Sequence, residues 1–264
     1  MAHSTSWEPV QKWYSKAVGE EGLYYHQRII LPGTLRLMGL QQTSSPSVLD
    51  IACGQGILAR HLPPKIPYVG IDLSPSLIAT AKRLDKNPHH HYHVGDVTQR
   101  LPKLTLHATE SKSFTHAALI LALQNIEHPK ALFQHLYTAL EPTGKCVVVI
   151  NHPCFRIPRQ SSWQIEPRQR IRYRRVDKYM SSLKIPIRAH PGQGNASQET
   201  LTFHHSLSTY SLWLQQTGFV IDSLEEWCSD KWSEGGAAKM ENSSRREFPL
   251  FLAFVLKKTV EKKT

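Results

Sequence analysis

The sequence contains no apolar run approaching the roughly 20 residues needed to cross a bilayer as a helix. It contains no CxxC pair; its four cysteines, Cys53, Cys146, Cys154 and Cys228, are scattered. The first residues, Met1 to Val10, are polar, carry Trp7 and Glu8, and lack the basic-then-apolar layout of a signal peptide. A reduced, cytoplasmic protein with free thiols is the simplest reading. Two nucleotide signatures are missing as well: the GxGxxG turn of dinucleotide-binding folds and a Gly-Lys-Ser/Thr phosphate loop.

What is present is an ordinary globular composition, 40% hydrophobic and 20% charged over 264 residues. That length holds one large α/β domain and leaves little room for a second. The formal net charge of +11 is uneven. Between Arg156 and Arg188 eight Arg and two Lys face only Glu166 and Asp177, a net of +8. A local positive field of this kind raises the encounter rate with anionic substrates, nucleic acid or acidic surfaces without choosing among them.

Trp7–Gly19 and Leu23–Leu40 read as two helices, the second with apolar residues at roughly helical spacing. After a polar loop, strands and helices alternate. Val48–Ala52 is a short buried strand, then a glycine turn and a helix from Ile57 to His61. Ile66–Ile71 is a second strand, and Ser74–Leu84 a helix with Ser74 as N-cap and Pro75 in its first position. His89–Val94 and Ala117–Ala122 are the third and fourth strands, Pro129–Leu140 the next helix, and Lys145–Ile150 a fifth strand rich in β-branched residues. The alternation pauses over Asn151–Thr200, too long for a structureless loop in a compact domain, and resumes with a helix over Ser208–Thr217 and strands over Phe219–Leu224 and Pro249–Leu256. The expected class is α/β, with a mostly parallel sheet and helices on both faces. One domain spans 1–264, with an N-terminal helical roof over 1–46 and a basic cap inserted after the fifth strand over 151–205. Within the cap, Arg168, Arg170, Arg172 and Arg174 fall at period two, so one strand would carry all four on one face.

The first strand runs into Asp50-Ile51-Ala52-Cys53-Gly54-Gln55-Gly56. Glycines there let the backbone turn sharply and approach a ligand, at the sheet edge where open α/β folds bind them. The second strand ends on Asp72, 16 residues past Gly56, where a carboxylate can accept both hydroxyls of a ribose. The third ends on Gly95-Asp96, where an acid can accept from an exocyclic adenine amine. Asp50 suits the cationic amino group of a methionine moiety and would repel a pyrophosphate.

These motifs resemble the core of class I S-adenosylmethionine-dependent methyltransferases over residues 48–150. The family's first motif, often Leu-Asp-Leu-Gly-Cys-Gly-x-Gly, matches residues 49–56 with Ala52 in the first glycine place. Leu121-Ala122-Leu123-Gln124-Asn125-Ile126-Glu127-His128-Pro129 resembles its fourth motif and is similar to a segment of quinone C-methyltransferases. Thr115 departs from an Asp common in the family at the start of the fourth strand. The resemblance implies a Rossmann-like seven-stranded sheet whose last strand, Pro249–Leu256, runs antiparallel at the edge. It implies S-adenosyl-L-methionine as cofactor and S-adenosyl-L-homocysteine as product. The cofactor residues it implies are Asp50, Ala52, Cys53, Gly54, Gly56, Asp72, Leu73, Asp96, Val97 and Leu121.

For the acceptor side, His152 directly follows the fifth strand and His204 precedes the later helix; both are candidate bases. Tyr25, His26, His152, Phe155 and His204 are the candidate substrate contacts. His89, His91 and His93 would share a strand face, but no carboxylate or cysteine is adjacent, so no metal is expected. Three functions stay open. One is methyl transfer to O, N or C of a small molecule, anionic acceptors being the ones the basic cap attracts. The second is methylation of RNA or another nucleic acid through the Arg-rich cap, with Trp163, Tyr173 and Tyr179 interleaved as stacking surfaces. The third is a non-catalytic partner subunit of the same fold.

Overall fold

The computed structural model of the protein describes residues 7–99, 113–188 and 199–259. Its frame is one seven-stranded sheet, formed by β1 (Val48–Ile51), β2 (Tyr68–Asp72), β3 (His90–Val94), β4 (Phe114–Ile120), β5 (Leu140–Asn151), β10 (Phe219–Trp227) and β11 (Phe251–Lys258). The spatial order is β10-β11-β5-β4-β1-β2-β3. The strands β3, β2, β1, β4 and β5 run parallel, and β11 is antiparallel to both β5 and β10. The antiparallel strand is therefore one place in from the edge, and β10 takes the edge expected for it. Order reverses between β1 and β4, which places the ligand crevice at the tips of those strands.

The sheet is covered on both faces, and residue alternation says how. On β5, Cys146, Val148 and Ile150 face one apolar layer while Val147 and Val149 face the other. On β11, Leu252, Phe254 and Leu256 alternate with Phe251, Ala253 and Val255 in the same way. The first layer is closed by α4 (Pro129–Ala139) and α5 (Leu207–Gln216), through Leu132, Phe133, Leu136, Tyr210 and Leu214. The second is closed by α2 (Leu31–Met38) and α3 (Pro75–Leu84), through Leu31, Met38, Ile78 and Ala81. Both faces being dry explains why these strands read as continuous apolar runs.

Local chemistry sets the element ends. Ser74 caps α3, its Oγ accepting from Leu77 N at 3.2 Å with Pro75 following. The side chain of Glu8 reaches the same terminus and accepts from the Ser74 and Ser76 hydroxyls, a carboxylate at the positive end of a helix. The first expected helix is a short 3₁₀ turn, Glu8–Val10, followed by α1 (Gln11–Val18). The second is interrupted: His26–Ile30 is a π-helical turn that runs into α2. The turn after β1 yields only a 3₁₀ segment, Ala59–His61, rather than a helix from Ile57.

The segment after β5 has its own strands. β6 (Ser161–Glu166) and β7 (Ile171–Val176) form one antiparallel hairpin, and β8 (Leu183–Arg188) pairs with β9 (Glu199–His204). The four arginines do not share a strand. Arg172 and Arg174 lie on β7, whereas Arg168 and Arg170 make the hairpin turn, Arg170 at a left-handed φ of 52°. A further helix, α6 (Ala238–Glu247), packs near β7 and was not expected from its polar sequence. Among the described residues, no helix is long and apolar enough to cross a membrane.

Candidate active site

The parallel strands end side by side, and their tips enclose a cavity of about 620 Å³, within the size range of small-ligand sites. At the tip of β1 the chain turns through Ala52 (φ 54°), Gly54 (φ 56°) and Gly56 (φ 72°). Ala52 thus holds a conformation that costs an L-residue roughly 1–2 kcal/mol. The turn is stitched to β2: Cys53 N donates to Ile71 O at 3.0 Å, and Gly54 N donates to Asp72 Oδ2 at 2.8 Å. Asp72 Oδ1 accepts from Ser74 N at 2.9 Å, so the carboxylate is fixed between the glycine turn and the start of α3. Burial pushes its pKa up, and the backbone N–H donors oppose that shift. Gly95 N donates to the Asp72 carbonyl at 2.9 Å, which sets Asp96 beside it at the end of β3. Asp96 Oδ1 accepts from the N–H and hydroxyl of Thr98, at 2.9 and 2.7 Å.

On the other side of the reversal, β4 is followed by Leu121, also left-handed at φ 51°, with its N–H donating to Val149 O at 2.7 Å. Its carbonyl accepts from Gln124 Nε2 at 2.8 Å. Strained non-glycine backbone at both tips facing the crevice is the kind of outlier that clusters at ligand sites. The far wall comes from Asn151, from Pro158 and Ile187 of the inserted segment, and from Thr202, whose hydroxyl donates to the Gln124 carbonyl at 3.0 Å. The near wall is N-terminal: Trp7, Trp13, Val18, Leu23 and His26.

Of the ten residues expected around the cofactor, Ala52, Gly54, Asp72, Leu73, Asp96, Val97 and Leu121 border this cavity, whereas Asp50, Cys53 and Gly56 do not. Asp50 instead turns to Tyr68 of β2. It is 3% exposed, accepts from Tyr68 Oη at 2.7 Å, and burial raises its pKa to about 7. Gly56 is required by packing: a Cβ there would meet Tyr92 Oη at 2.5 Å.

Among the acceptor candidates, only His26 borders the cavity. His152 is buried with both ring nitrogens engaged: Nδ1 accepts from Cys154 N at 3.2 Å, which leaves Nε2–H to donate to Glu226 Oε1 at 2.7 Å. The ring lies 4.8 Å from that of Phe155, which in turn meets Phe248 edge-on. His204 is buried, and its Nε2 donates to Tyr179 O at 2.8 Å. Tyr25 exchanges a hydrogen bond with Ser229 at 2.9 Å and packs edge-on against Phe251. His152 thus ties the inserted segment to β10, and Tyr25 ties the N-terminal region to β11. No group of three or more potential metal ligands is found among the described residues.

The residues missed by sequence reasoning are mostly apolar walls, together with Gln124, Asn125, Thr98 and Thr202. Gln124 and Asn125 lie within the stretch already singled out after β4; nothing in the local sequence marks Thr202, which reaches the cavity from a strand of the inserted segment. In charge, the lining carries Asp72, Asp96 and Glu127 and no Lys or Arg among the described residues, in a protein of net charge +11. Glu127 sits at the rim, paired with Lys184 at 2.9 Å.

Comparisons with known proteins bear on the family and the fold. Residues 24–224 match the family described as "Methyltransferase domain". A dTDP-3-amino-3,6-dideoxy-alpha-D-glucopyranose N,N-dimethyltransferase of Streptomyces fradiae is 34% identical over 109 residues, 37% of this chain and 40% of the relative. An uncharacterized methyltransferase of Mycobacterium tuberculosis is 31% identical over 104 residues, 39% of this chain and 49% of the relative. The matched stretch thus spans less than half the length of these curated relatives. Among solved structures, an S-adenosylmethionine-dependent methyltransferase of Mesorhizobium loti superposes with a TM-score of 0.62 at 23% identity, covering 86% of this chain and 100% of that one. A methyltransferase of Haloferax volcanii, in complex with the Trm112 methyltransferase activator, superposes with a TM-score of 0.60 at 15% identity, covering 98% of this chain and 96% of that one. The chain belongs to the methyltransferase-domain family and has the fold of class I S-adenosylmethionine-dependent methyltransferases.

Proposed function

We propose that the protein transfers a methyl group from S-adenosylmethionine to an amine of a small molecule. The observation that carries this reading is the charge of the cavity. Two carboxylates, Asp72 and Asp96, stand at adjacent strand tips, and no Lys or Arg borders the space among the described residues. Such a lining attracts a cation and disfavours an anionic acceptor, so the anionic acceptor suggested by the basic segment is not favoured within the cavity itself. It suits a cationic, nucleoside-bearing ligand: Asp72 would hold the ribose hydroxyls, Asp96 the adenine amine, and the bare backbone of Gly54 and Gly95 would allow close approach. When bound, that cofactor supplies a methyl group already activated by a sulfonium charge.

The chain's own residues then need to supply alignment and exclude water. Alignment of two reactants is worth about 7–11 kcal/mol by itself. The apolar walls, Trp7, Trp13, Leu23, Ile126 and Ile187, do the excluding. A neutral amine attacks through its own lone pair and the product ammonium releases its proton to water afterwards, so no base is required at His152, both of whose ring nitrogens are hydrogen-bonded, or at His204, whose Nε2 donates to Tyr179 O. The amino-sugar N,N-dimethyltransferase similar to the 37% of this chain noted above supports nitrogen as the acceptor atom.

The test is calorimetry with S-adenosylhomocysteine, followed by radiolabelled methyl transfer to a panel of amines, alcohols and phenols. Asp72→Ala is expected to weaken nucleoside binding by about 1–3 kcal/mol through loss of charge-assisted hydrogen bonds. Unchanged affinity removes Asp72 from the cofactor site, and transfer confined to hydroxyl acceptors overturns the amine assignment.

A further inference from the structure

The cavity wall contains one buried side chain whose hydrogen bonding is half complete. His26 is 8% exposed and borders the cavity. Its Nδ1 accepts the backbone N–H of Leu23 at 3.2 Å, so the neutral ring carries its proton on Nε2. Burial lowers the pKa of the ring, which keeps it neutral near neutral pH. Nε2–H has no partner among the described residues. Among the described residues, three side-chain polar atoms are sealed from solvent without a partner, Thr34 Oγ1, Gln124 Oε1 and His205 Nε2, and His26 Nε2 is not one of them. It is a donor left open on a ring that borders the ligand space.

The surrounding backbone is built to hold that ring. His26 begins the π-helical turn, a distortion frequent at functional sites. Gly22, at a φ of 92°, lies so close that a Cβ there would sit 2.8 Å from the His26 Cβ. The same loop is anchored over the glycine turn: Gln55 Nε2 donates to Gly19 O, and Arg60 donates to Glu20 O at 2.6 Å. His26 therefore belongs to the segment that covers the tip of β1.

We infer that His26 Nε2–H is the donor for the amino-acid carboxylate of the cofactor. This rests on the cofactor reading above. An amino-acid moiety over the β1 tip brings an anionic carboxylate into a space bordered by Asp72 and Asp96 and by no Lys or Arg among the described residues. A buried carboxylate requires a donor. His26 provides one whose tautomer is fixed by the Leu23 amide, and a neutral donor leaves the cationic sulfur unopposed by a second positive charge.

The experiment compares two ligands by calorimetry: S-adenosylhomocysteine and its decarboxylated analogue, S-adenosyl-3-thiopropylamine. In the His26→Phe variant, affinity for S-adenosylhomocysteine should fall by about tenfold or more, as for loss of a hydrogen bond to a charged group. Affinity for the decarboxylated analogue should change less than about twofold, which also reports an intact fold. His26→Gln, whose amide N–H can take the place of Nε2–H, should recover most of the loss. Equal losses for both ligands, or no loss for either, overturn the assignment. If the unaltered protein binds neither ligand, the cofactor reading itself fails, a result distinct from failure of the His26 assignment.

Discussion

Replacing Asp50 by Asn should make the protein more stable at alkaline pH and change little in acid. Asp50 is buried on β1, with Tyr68 Oη donating to it at 2.7 Å. Burial raises its pKa from 3.8 to about 7, and the nearby Asp72 charge adds to the shift. A carboxyl whose folded pKa exceeds its unfolded one stabilises the fold in its protonated form. That contribution is complete below about pH 4 and is lost as pH rises through about 7. Three pKa units correspond to about 4 kcal/mol. Asn cannot ionise, and its amide oxygen still accepts the Tyr68 hydroxyl. Urea unfolding at about pH 8 should therefore show Asp50→Asn ahead by up to about 4 kcal/mol, and at about pH 4 the two proteins should nearly coincide. An equal difference at both pH values would show that packing, not ionisation, separates them. A variant less stable at alkaline pH would refute the burial argument outright.

The opposite slope should come from His116, which is buried at the start of β4 and hydrogen-bonded to Thr115 at 2.8 Å. Burial and the neighbouring Lys145 charge lower its pKa from 6.5 to about 4, so the neutral ring contributes about 3 kcal/mol above about pH 6.5 that is lost as pH falls through about 4. Acid denaturation followed by circular dichroism should be shallower in His116→Gln, and steeper in Asp50→Asn, where the compensating slope has been removed. Gly56→Ala should cost about 1–3 kcal/mol more than Gly235→Ala in urea unfolding. Both glycines have left-handed φ values, 72° and 92°, but only at Gly56 would the new Cβ meet Tyr92, at 2.5 Å.

Much of the frame was legible because its signals are local. The Ser74-Pro75 start of α3 is a capping hydroxyl followed by a residue with no N–H to satisfy. The β-branched run of β5 needs only two dry faces to explain it. Asp72 and Asp96 could be placed because one ends a strand and the other follows a strand end by two residues, and strand ends of a parallel sheet share one edge. Asp50 was harder: a strand turns alternate residues to opposite faces, and its partner Tyr68 lies on the next strand. The arginine ladder failed because a turn falls within it, at a residue type that does not advertise a left-handed φ. The helix α6 carries no apolar stripe; it is held by Asn242, which bonds the backbone of Ser233 through both its amide oxygen and its nitrogen, each at 2.9 Å. Neither interaction can be read from spacing.

The basic segment looks more like a polyanion surface in sequence than in three dimensions. Arg172 and Arg174 lie over the Trp163 ring, at 4.3 and 5.2 Å, and Arg174 also donates to Phe155 O and Ser161 Oγ. Arg156 is turned inward to Asn151, Arg159 donates to Pro186 O, and Arg175, Lys184 and Arg188 pair with Asp177, Glu127 and Glu199. Arg168, Arg170 and Lys178 are exposed without a side-chain partner among the described residues, beside Tyr173 at 46% exposure. Each phosphate neutralised on a single strand contributes about 0.7 to the slope of log affinity against log salt. Three free cations therefore limit the slope for single-stranded RNA to about 2, whereas all ten cationic side chains of the segment would give about 7. A measured slope near the larger figure would require the Trp163 stack and the ion pairs to open on binding, and would restore the nucleic-acid reading. A slope near the smaller one leaves most of these arginines as the means by which the segment is held over the cavity.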